Sequence, residues 1–188
     1  MSDQATMLAH THARKRRSAG RVAIGMLGGL LVAGGLSTGT AVLVWPDQVE
    51  EVYGGIQQDV GEWRVQNLQE VPLAHLGATG GQTELDYCDG TFTEMRSYRR
   101  HDMPPIWAAH NNCGGDVILP VELGDVIDLE QGGIVNRYNV VDIRETPKVW
   151  VTTEALIGLQ GDVVLQSCYY GGTDVPMKFI GLDPVVDG

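Results

Sequence analysis

Residues 162–168 read Asp162-Val163-Val164-Leu165-Gln166-Ser167-Cys168, an apolar run that ends in a cysteine. The β-branched and aliphatic residues of this run predict a buried β-strand. A second apolar run, Pro105-Ile106-Trp107-Ala108-Ala109, is followed by His110, which lies 58 residues before Cys168. Because a thiolate is a nucleophile that a histidine can activate, the two strand ends indicate thiolate chemistry. The alternative for Cys168 is a structural role, since free cysteine is common in apolar cores.

Short apolar runs separated by Gly, Asp and Pro extend from residue 82 to the C-terminus, a pattern typical of an all-β domain. One or two helical turns are predicted at Thr153–Leu159, started by a threonine cap. About eight short strands in this length predict a barrel or a sandwich. The candidate strands are Glu84–Cys88, Thr91–Ser97, Pro105–His110, Asp116–Leu119, Val126–Leu129, Ile134–Ile143, Asp162–Tyr169 and Met177–Leu182.

The N-terminal part predicts a membrane anchor. Residues 22–45 contain no charge, and 24 helical residues are enough to cross the ~30 Å hydrocarbon core. Residues 1–21 form a basic tail, and acidic residues follow the span, so the positive-inside rule predicts a cytoplasmic N-terminus and an extracytoplasmic C-terminal domain in the cell membrane. A cleaved signal peptide is the alternative. Residues 46–81 are predicted to form a partly helical stalk or linker with a flexible loop at 77–81.

The predicted outer domain is strongly acidic. From residue 46 onward the chain has eight Lys and Arg against 23 Asp and Glu, which gives a formal charge of −15. A field of this sign repels nucleic-acid phosphates and anionic lipid headgroups, so we expect neither as a partner. We expect contact with the membrane through the single N-terminal helix, and a monomer in preference to a homodimer.

The chain has three cysteines, Cys88, Cys113 and Cys168. Outside the cytosol thiols tend to pair, so an odd number leaves one thiol free or bridges one to another chain. A disulfide between Cys88 and Cys113 is the pairing that keeps Cys168 reduced and available for chemistry.

The order of features after residue 105 resembles the sortase family of cell-surface transpeptidases. A small-residue strand end precedes a histidine, a Gly-Asp turn opens the next strand, a Tyr-x-Val strand follows, and a final strand presents the cysteine. The resemblance covers about residues 105–182 and implies a sortase-like closed β-barrel of about eight strands with one short helix. The matching residues are Ala109-His110-Asn111, Leu123-Gly124-Asp125-Val126-Ile127, Tyr138-Asn139-Val140 and Leu165-Gln166-Ser167-Cys168.

The resemblance also implies a reaction. Cys168 would attack a backbone carbonyl of a sorting-signal peptide and form a thioester, and His110 would protonate the departing amine. An amine acceptor at the cell surface would then resolve the thioester. This chemistry requires no metal and no organic cofactor, so we expect none.

One residue of the family pattern is missing. Sortases have an arginine on the last strand, after the cysteine, whereas residues 169–179 contain no arginine. Lys178 is the only cation there, and we expect it to take the arginine's role, although it lacks the planar fork of donors. Arg144 is a second candidate.

Three alternatives stay open at this stage. The first is a catalytically degenerate sortase fold that acts as a membrane-anchored binding or interaction module, which the missing arginine favours. The second is a barrel of another topology, in which the match of His110 and Cys168 is accidental. The third is a zinc site formed by His110 with the three cysteines.

Overall fold

The computed structural model describes residues 46–68, 70–148 and 153–186. Seven strands form a closed barrel in these ranges, so the predicted closed, mostly β barrel is confirmed with seven strands instead of about eight. The strands are β1 (Leu73–Gly80), β2 (Phe92–Met95), β3 (Ile106–Ala108), β4 (Val126–Gln131), β5 (Ile134–Pro147), β6 (Val163–Cys168) and β7 (Pro176–Pro184).

The order of strands around the barrel is β1-β2-β3-β6-β7-β5-β4. Strand β6 lies parallel to β3 and antiparallel to β7. Strand β1 closes the barrel by parallel pairing with both β2 and β4. The parallel pairing of β3 with β6 brings two strand ends that are far apart in sequence to one place.

Strands β6 and β7 are buried on both faces over most of their length, which is why most of their residues are apolar. Leu165 and Ile180 point into the barrel core. Val164 and Phe179, which alternate with them, lie in a second cluster with Ile106 on the outer face. That outer cluster is closed by Leu156 and Leu159, which lie in and beside the 3-10 turn Thr153–Leu156. The predicted turn at this position is confirmed.

Two α-helices accompany the barrel in the described part of the chain. Helix α1 (Pro46–Leu68) occupies the first part of the predicted partly helical stalk, and α2 (Gln82–Leu85) is a single turn. Gly54 of α1 is buried, and a Cβ there would collide with the side chain of Tyr170. The glycine therefore permits close contact between helix and barrel. No helix in the described ranges is both long and apolar enough to cross a membrane. The predicted basic tail and anchor, residues 1–45, lie outside the described residues.

The structure corrects three sequence predictions. The barrel begins at Leu73, because β1 occupies part of the predicted linker and its flexible loop. The predicted strand Glu84–Cys88 is instead helix α2 and a turn, and the carboxylate of Glu84 accepts a hydrogen bond from the Gly81 amide at 2.7 Å. The predicted strand Asp116–Leu119 is instead a 3-10 helix at Gly115–Ile118, which follows Gly114 at φ 92°.

Candidate active site

His110 and Cys168 lie at the same end of one pair of parallel strands. Ala108 of β3 is in register with Gln166 of β6, and the Ala109 amide donates to the Gln166 carbonyl at 3.1 Å. His110 and Cys168 each follow that registered pair by two residues. The pairing of β3 with β6 therefore brings together the two residues that the sequence singles out, although 58 residues separate them.

The Cys168 thiol is free and half-buried on the outer face of the barrel. Cys168 is in register with Met177, which packs against the outer cluster beside Phe179. Burial raises the pKa of the Cys168 thiol, and the positive charge of Lys148 and a weak contact from Gln166 oppose that rise. The thiol thus lies in a mainly apolar setting with one cation nearby.

His110 is partly exposed and its ring is held by a carboxylate. Its Nε2 lies 2.9 Å from Oδ1 of Asp86, and this contact lowers the pKa of Asp86. The 3-10 helix Asn111–Cys113 begins directly after His110, and the Cys113 amide donates to the His110 carbonyl at 2.9 Å. The Asn111 side-chain amide donates to the Tyr169 carbonyl at 3.3 Å. That bond ties the histidine loop to the residue that follows Cys168.

The predicted disulfide between Cys88 and Cys113 is confirmed, with the two Cα atoms 4.9 Å apart. It joins the loop that carries Asp86 to the loop that carries His110. Since Cys88 and Cys113 are bridged, they cannot serve as thiolate ligands, so the zinc alternative loses two of its four ligands. Among the described residues, no cluster of three His, Cys, Asp or Glu side chains is arranged to hold a metal ion.

Lys178 lies on the other side of the sheet from Cys168. It is in register with the buried Ser167, and only 5% of the residue is exposed. Its Nζ donates to the backbone carbonyls of Leu119 and Val121 at 2.7 and 2.6 Å. Burial lowers the pKa of the ammonium. This placement does not favour the predicted role of Lys178 beside the cysteine, and that role stays a prediction.

The two remaining cations near this region differ in their contacts. Arg144 donates to the carbonyls of Ala155 and Ile157, both at 3.0 Å, so it holds the 3-10 turn after β5. Lys148 follows β5 directly and acts electrostatically on Cys168. Thr146, two residues before Lys148, is in register with Met177, which is itself in register with Cys168. Sequence reasoning missed Lys148, because no motif marks a lysine in the β5–β6 connection.

An apolar surface lies next to Cys168 on the outer face. Tyr98, Met103 and Met177 are partly buried there and pack over the outer cluster. Tyr98 meets Phe179 edge to face, with ring centroids 6.4 Å apart. Burial is the main cause of the raised pKa of the Tyr98 phenol, and the charge of Cys168 adds to it, so the ring lies near the thiol.

No protein-family model matches the chain, and no curated protein matches it. Among solved structures it is similar to sortase C of Clostridium perfringens with its C-terminal cell wall sorting motif, at 16% identity and a TM-score of 0.40. It is also similar to sortase C1 of Streptococcus agalactiae (16%, TM-score 0.44) and sortase C-1 of Actinomyces oris (17%, TM-score 0.43).

These three matches cover 58%, 63% and 62% of this chain. The chain spans 62% of the Clostridium protein, 62% of the Streptococcus protein and 68% of the Actinomyces protein. The described barrel is similar in fold to these sortase structures.

Proposed function

We propose that this chain is a membrane-anchored, extracytoplasmic cysteine transpeptidase of the sortase type. The observation that carries the proposal is a free, half-buried Cys168 that shares one end of the β3–β6 pair with His110. The proposal places residues 22–45 in the membrane, the N-terminus in the cytoplasm and the barrel outside. A disulfide in the barrel is consistent with an oxidising compartment.

In the first half-reaction the Cys168 thiolate attacks a backbone carbonyl of the donor peptide and forms a tetrahedral oxyanion. The peptide C–N bond breaks as His110 gives a proton to the departing amine, which leaves a thioester on Cys168. In the second half-reaction an acceptor amine attacks the thioester and loses a proton to His110. The Cys168 thiolate leaves, and a new amide bond has formed.

Two features of the site support this chemistry. Lys148 is the cation that acts on Cys168, so it would stabilise the thiolate and a developing oxyanion. The apolar surface formed by Tyr98, Met103 and Met177 would hold the peptide and exclude water from the thioester. Transfer to an amine is thereby favoured over hydrolysis. We infer a sorting-signal peptide and a cell-surface amine as the two substrates.

A binding module with the same fold is the second candidate. Two observations favour it: burial raises the pKa of the Cys168 thiol, and the ammonium of Lys178 binds backbone carbonyls inside the barrel. Residues 169–179 contain no arginine that could take the place of Lys178. Such a protein would capture a peptide without cleaving it.

Incubation of the full chain with a peptide library and an amine acceptor, followed by mass spectrometry, tests the proposal. The transpeptidase produces a new amide that joins part of a donor peptide to the acceptor. Cys168→Ala abolishes the product, and His110→Ala lowers its rate by ~10²-fold or more. Capture of peptides by folded, reduced protein without any product supports the binding module instead.

A further inference from the structure

We propose that Asp86 is a positioning residue that holds the His110 ring through Nε2 and leaves Nδ1 as the nitrogen that transfers protons. The inference rests on the proposed function, because it assigns the acid–base step of that reaction to one ring atom. The tautomer of His110 in the resting protein can be measured without any substrate.

The geometry around Asp86 carries the inference. Oδ1 of Asp86 lies 2.9 Å from Nε2 of His110 and also accepts a hydrogen bond from the Gln82 side-chain amide at 2.8 Å. Both contacts lower the pKa of Asp86, the histidine contact more strongly, so the carboxylate stays ionised and remains an acceptor. An ionised acceptor at Nε2 selects the neutral tautomer that carries its hydrogen there.

Both partners are partly or largely exposed, and exposed ion pairs usually contribute little because their side chains must be ordered. Here the backbone segments that carry the two side chains are already held in place. The disulfide lies two residues after Asp86 and three after His110, so it fixes the separation of their loops. Amides of Cys113 and Gly115 both donate to the His110 carbonyl, at 2.9 and 3.0 Å.

The two glycines that follow the disulfide allow further close contacts of the histidine loop. A Cβ at Gly115 would collide with the Ala109 and His110 carbonyls and with the Ser167 hydroxyl. A Cβ at Gly114 would lie 3.1 Å from the Gly90 carbonyl, and φ at Gly114 is 92°. The contact of Gly114 with Gly90 thus packs the two loops backbone against backbone, which holds the backbone of the histidine loop close to the loop that carries Asp86.

The chemical consequence concerns the proton path. With Nε2–H donated to Asp86, Nδ1 is the free basic nitrogen. Nδ1 receives the proton of the Cys168 thiol, gives it to the departing amine, and takes one from the acceptor amine. The carboxylate keeps its charge throughout and stabilises the imidazolium that forms between these steps. Asp86 therefore acts through His110 and never touches the substrate.

The experiment is nitrogen NMR of the full chain with labelled histidines, which reports the tautomer of each neutral ring. His75 is a matched internal control, because its Nδ1, not its Nε2, lies 2.9 Å from a carboxylate, that of Glu130. We expect the Nε2–H tautomer for His110 and the Nδ1–H tautomer for His75. Asp86→Asn should remove the tautomer preference of His110 and leave that of His75 unchanged. Glu130→Gln should remove the tautomer preference of His75 and leave that of His110 unchanged. The inference would be overturned if His110 carried its hydrogen on Nδ1, or if the NMR signals of His110 were the same in Asp86→Asn as in the wild type.

A kinetic arm separates this inference from the proposed function. If transpeptidation is observed, Asp86→Asn should lower kcat by about tenfold with KM unchanged, less than the ~10²-fold loss in His110→Ala. Asp86→Glu should recover part of kcat, which a purely structural role would not predict. Absence of transpeptidation together with the expected NMR result refutes the function and leaves the ring assignment standing. Transpeptidation with a normal kcat in Asp86→Asn refutes the assignment alone.

Discussion

Replacement of Lys178 by methionine separates a structural role from a catalytic one. Methionine keeps most of the apolar stem but leaves the carbonyls of Leu119 and Val121 without their donor. Each buried carbonyl that loses its partner costs about 1–3 kcal/mol, and relief of the buried ammonium offsets part of the sum. We therefore expect the free energy of unfolding to fall by about 2 kcal/mol. For a domain of this size that lowers Tm by roughly 4–8 °C.

The stability difference between wild type and Lys178→Met also depends on pH, and the pKa of Lys178 sets the direction of that dependence. Burial lowers the pKa of Lys178 in the folded protein below its ordinary value of 10.5. Between the folded and the unfolded pKa the unfolded chain binds more protons at this site, so stability rises with pH through that window. Wild type should therefore gain stability over Lys178→Met as the pH is raised toward 10.5.

Denaturant unfolding across this pH range, with alkylation of Cys168 as a parallel assay, tests the reasoning. The structural account predicts lower stability in Lys178→Met and an alkylation rate of the folded protein that is unchanged. A stable Lys178→Met protein whose transpeptidation falls by about 10²–10³-fold would refute it and would support the catalytic role that the sequence predicts.

The remaining predictions concern the cation, the histidine loop and the topology. Lys148→Met should leave Tm unchanged and slow iodoacetamide alkylation of Cys168 at neutral pH several-fold, because the thiolate loses its attracting charge. Lys148→Arg should retain the rate, and an unchanged rate in Lys148→Met would exclude an electrostatic effect of Lys148 on the thiol. Gly115→Ala should destabilise the barrel by about 2 kcal/mol or more, measured by urea unfolding, because its Cβ meets the carbonyls of Ala109 and His110, whereas Gly55→Ala, whose Cβ would have no atom within 4 Å, should cost less. Protease added to intact cells should digest a C-terminal epitope and spare an N-terminal one, and the reverse pattern would contradict the proposed orientation.

The sequence predicted the parts of the barrel whose apolar pattern is strong. Strands β6 and β7 are recognisable in the sequence because both of their faces are buried. The odd number of cysteines predicts one free thiol or one bridge to another chain, and Cys168 is the expected free thiol because that pairing keeps it available for chemistry. Strand β1 was missed because glycines usually mark loops, yet a Cβ at Gly77 would collide with Thr91. Gly77 therefore permits close packing of β1 against Thr91.

The candidate site was predictable only in part, because its members are joined by tertiary contacts. Register between β3 and β6 brings His110 to the same end as Cys168, and the ordered motifs were enough to anticipate that pair. No local pattern identifies Asp86, which lies 24 residues before His110 and meets it through a folded loop. The predicted role of Lys178 rests on the segment after Cys168, where sortases have an arginine and Lys178 is the only cation. Strand alternation directs the Lys178 side chain to the barrel interior, and its catalytic role stays a prediction.

The most direct test of the central claim is the intact mass of the full chain after it is mixed with donor peptide in the absence of an acceptor amine. The account predicts an added mass that equals the acyl part of the peptide, located on Cys168 and released by hydroxylamine, as expected for a thioester. Cys168→Ala should show no such addition, and His110→Ala should form it more slowly. A folded protein with a reduced Cys168 that binds donor peptides yet never gains this mass would contradict the account.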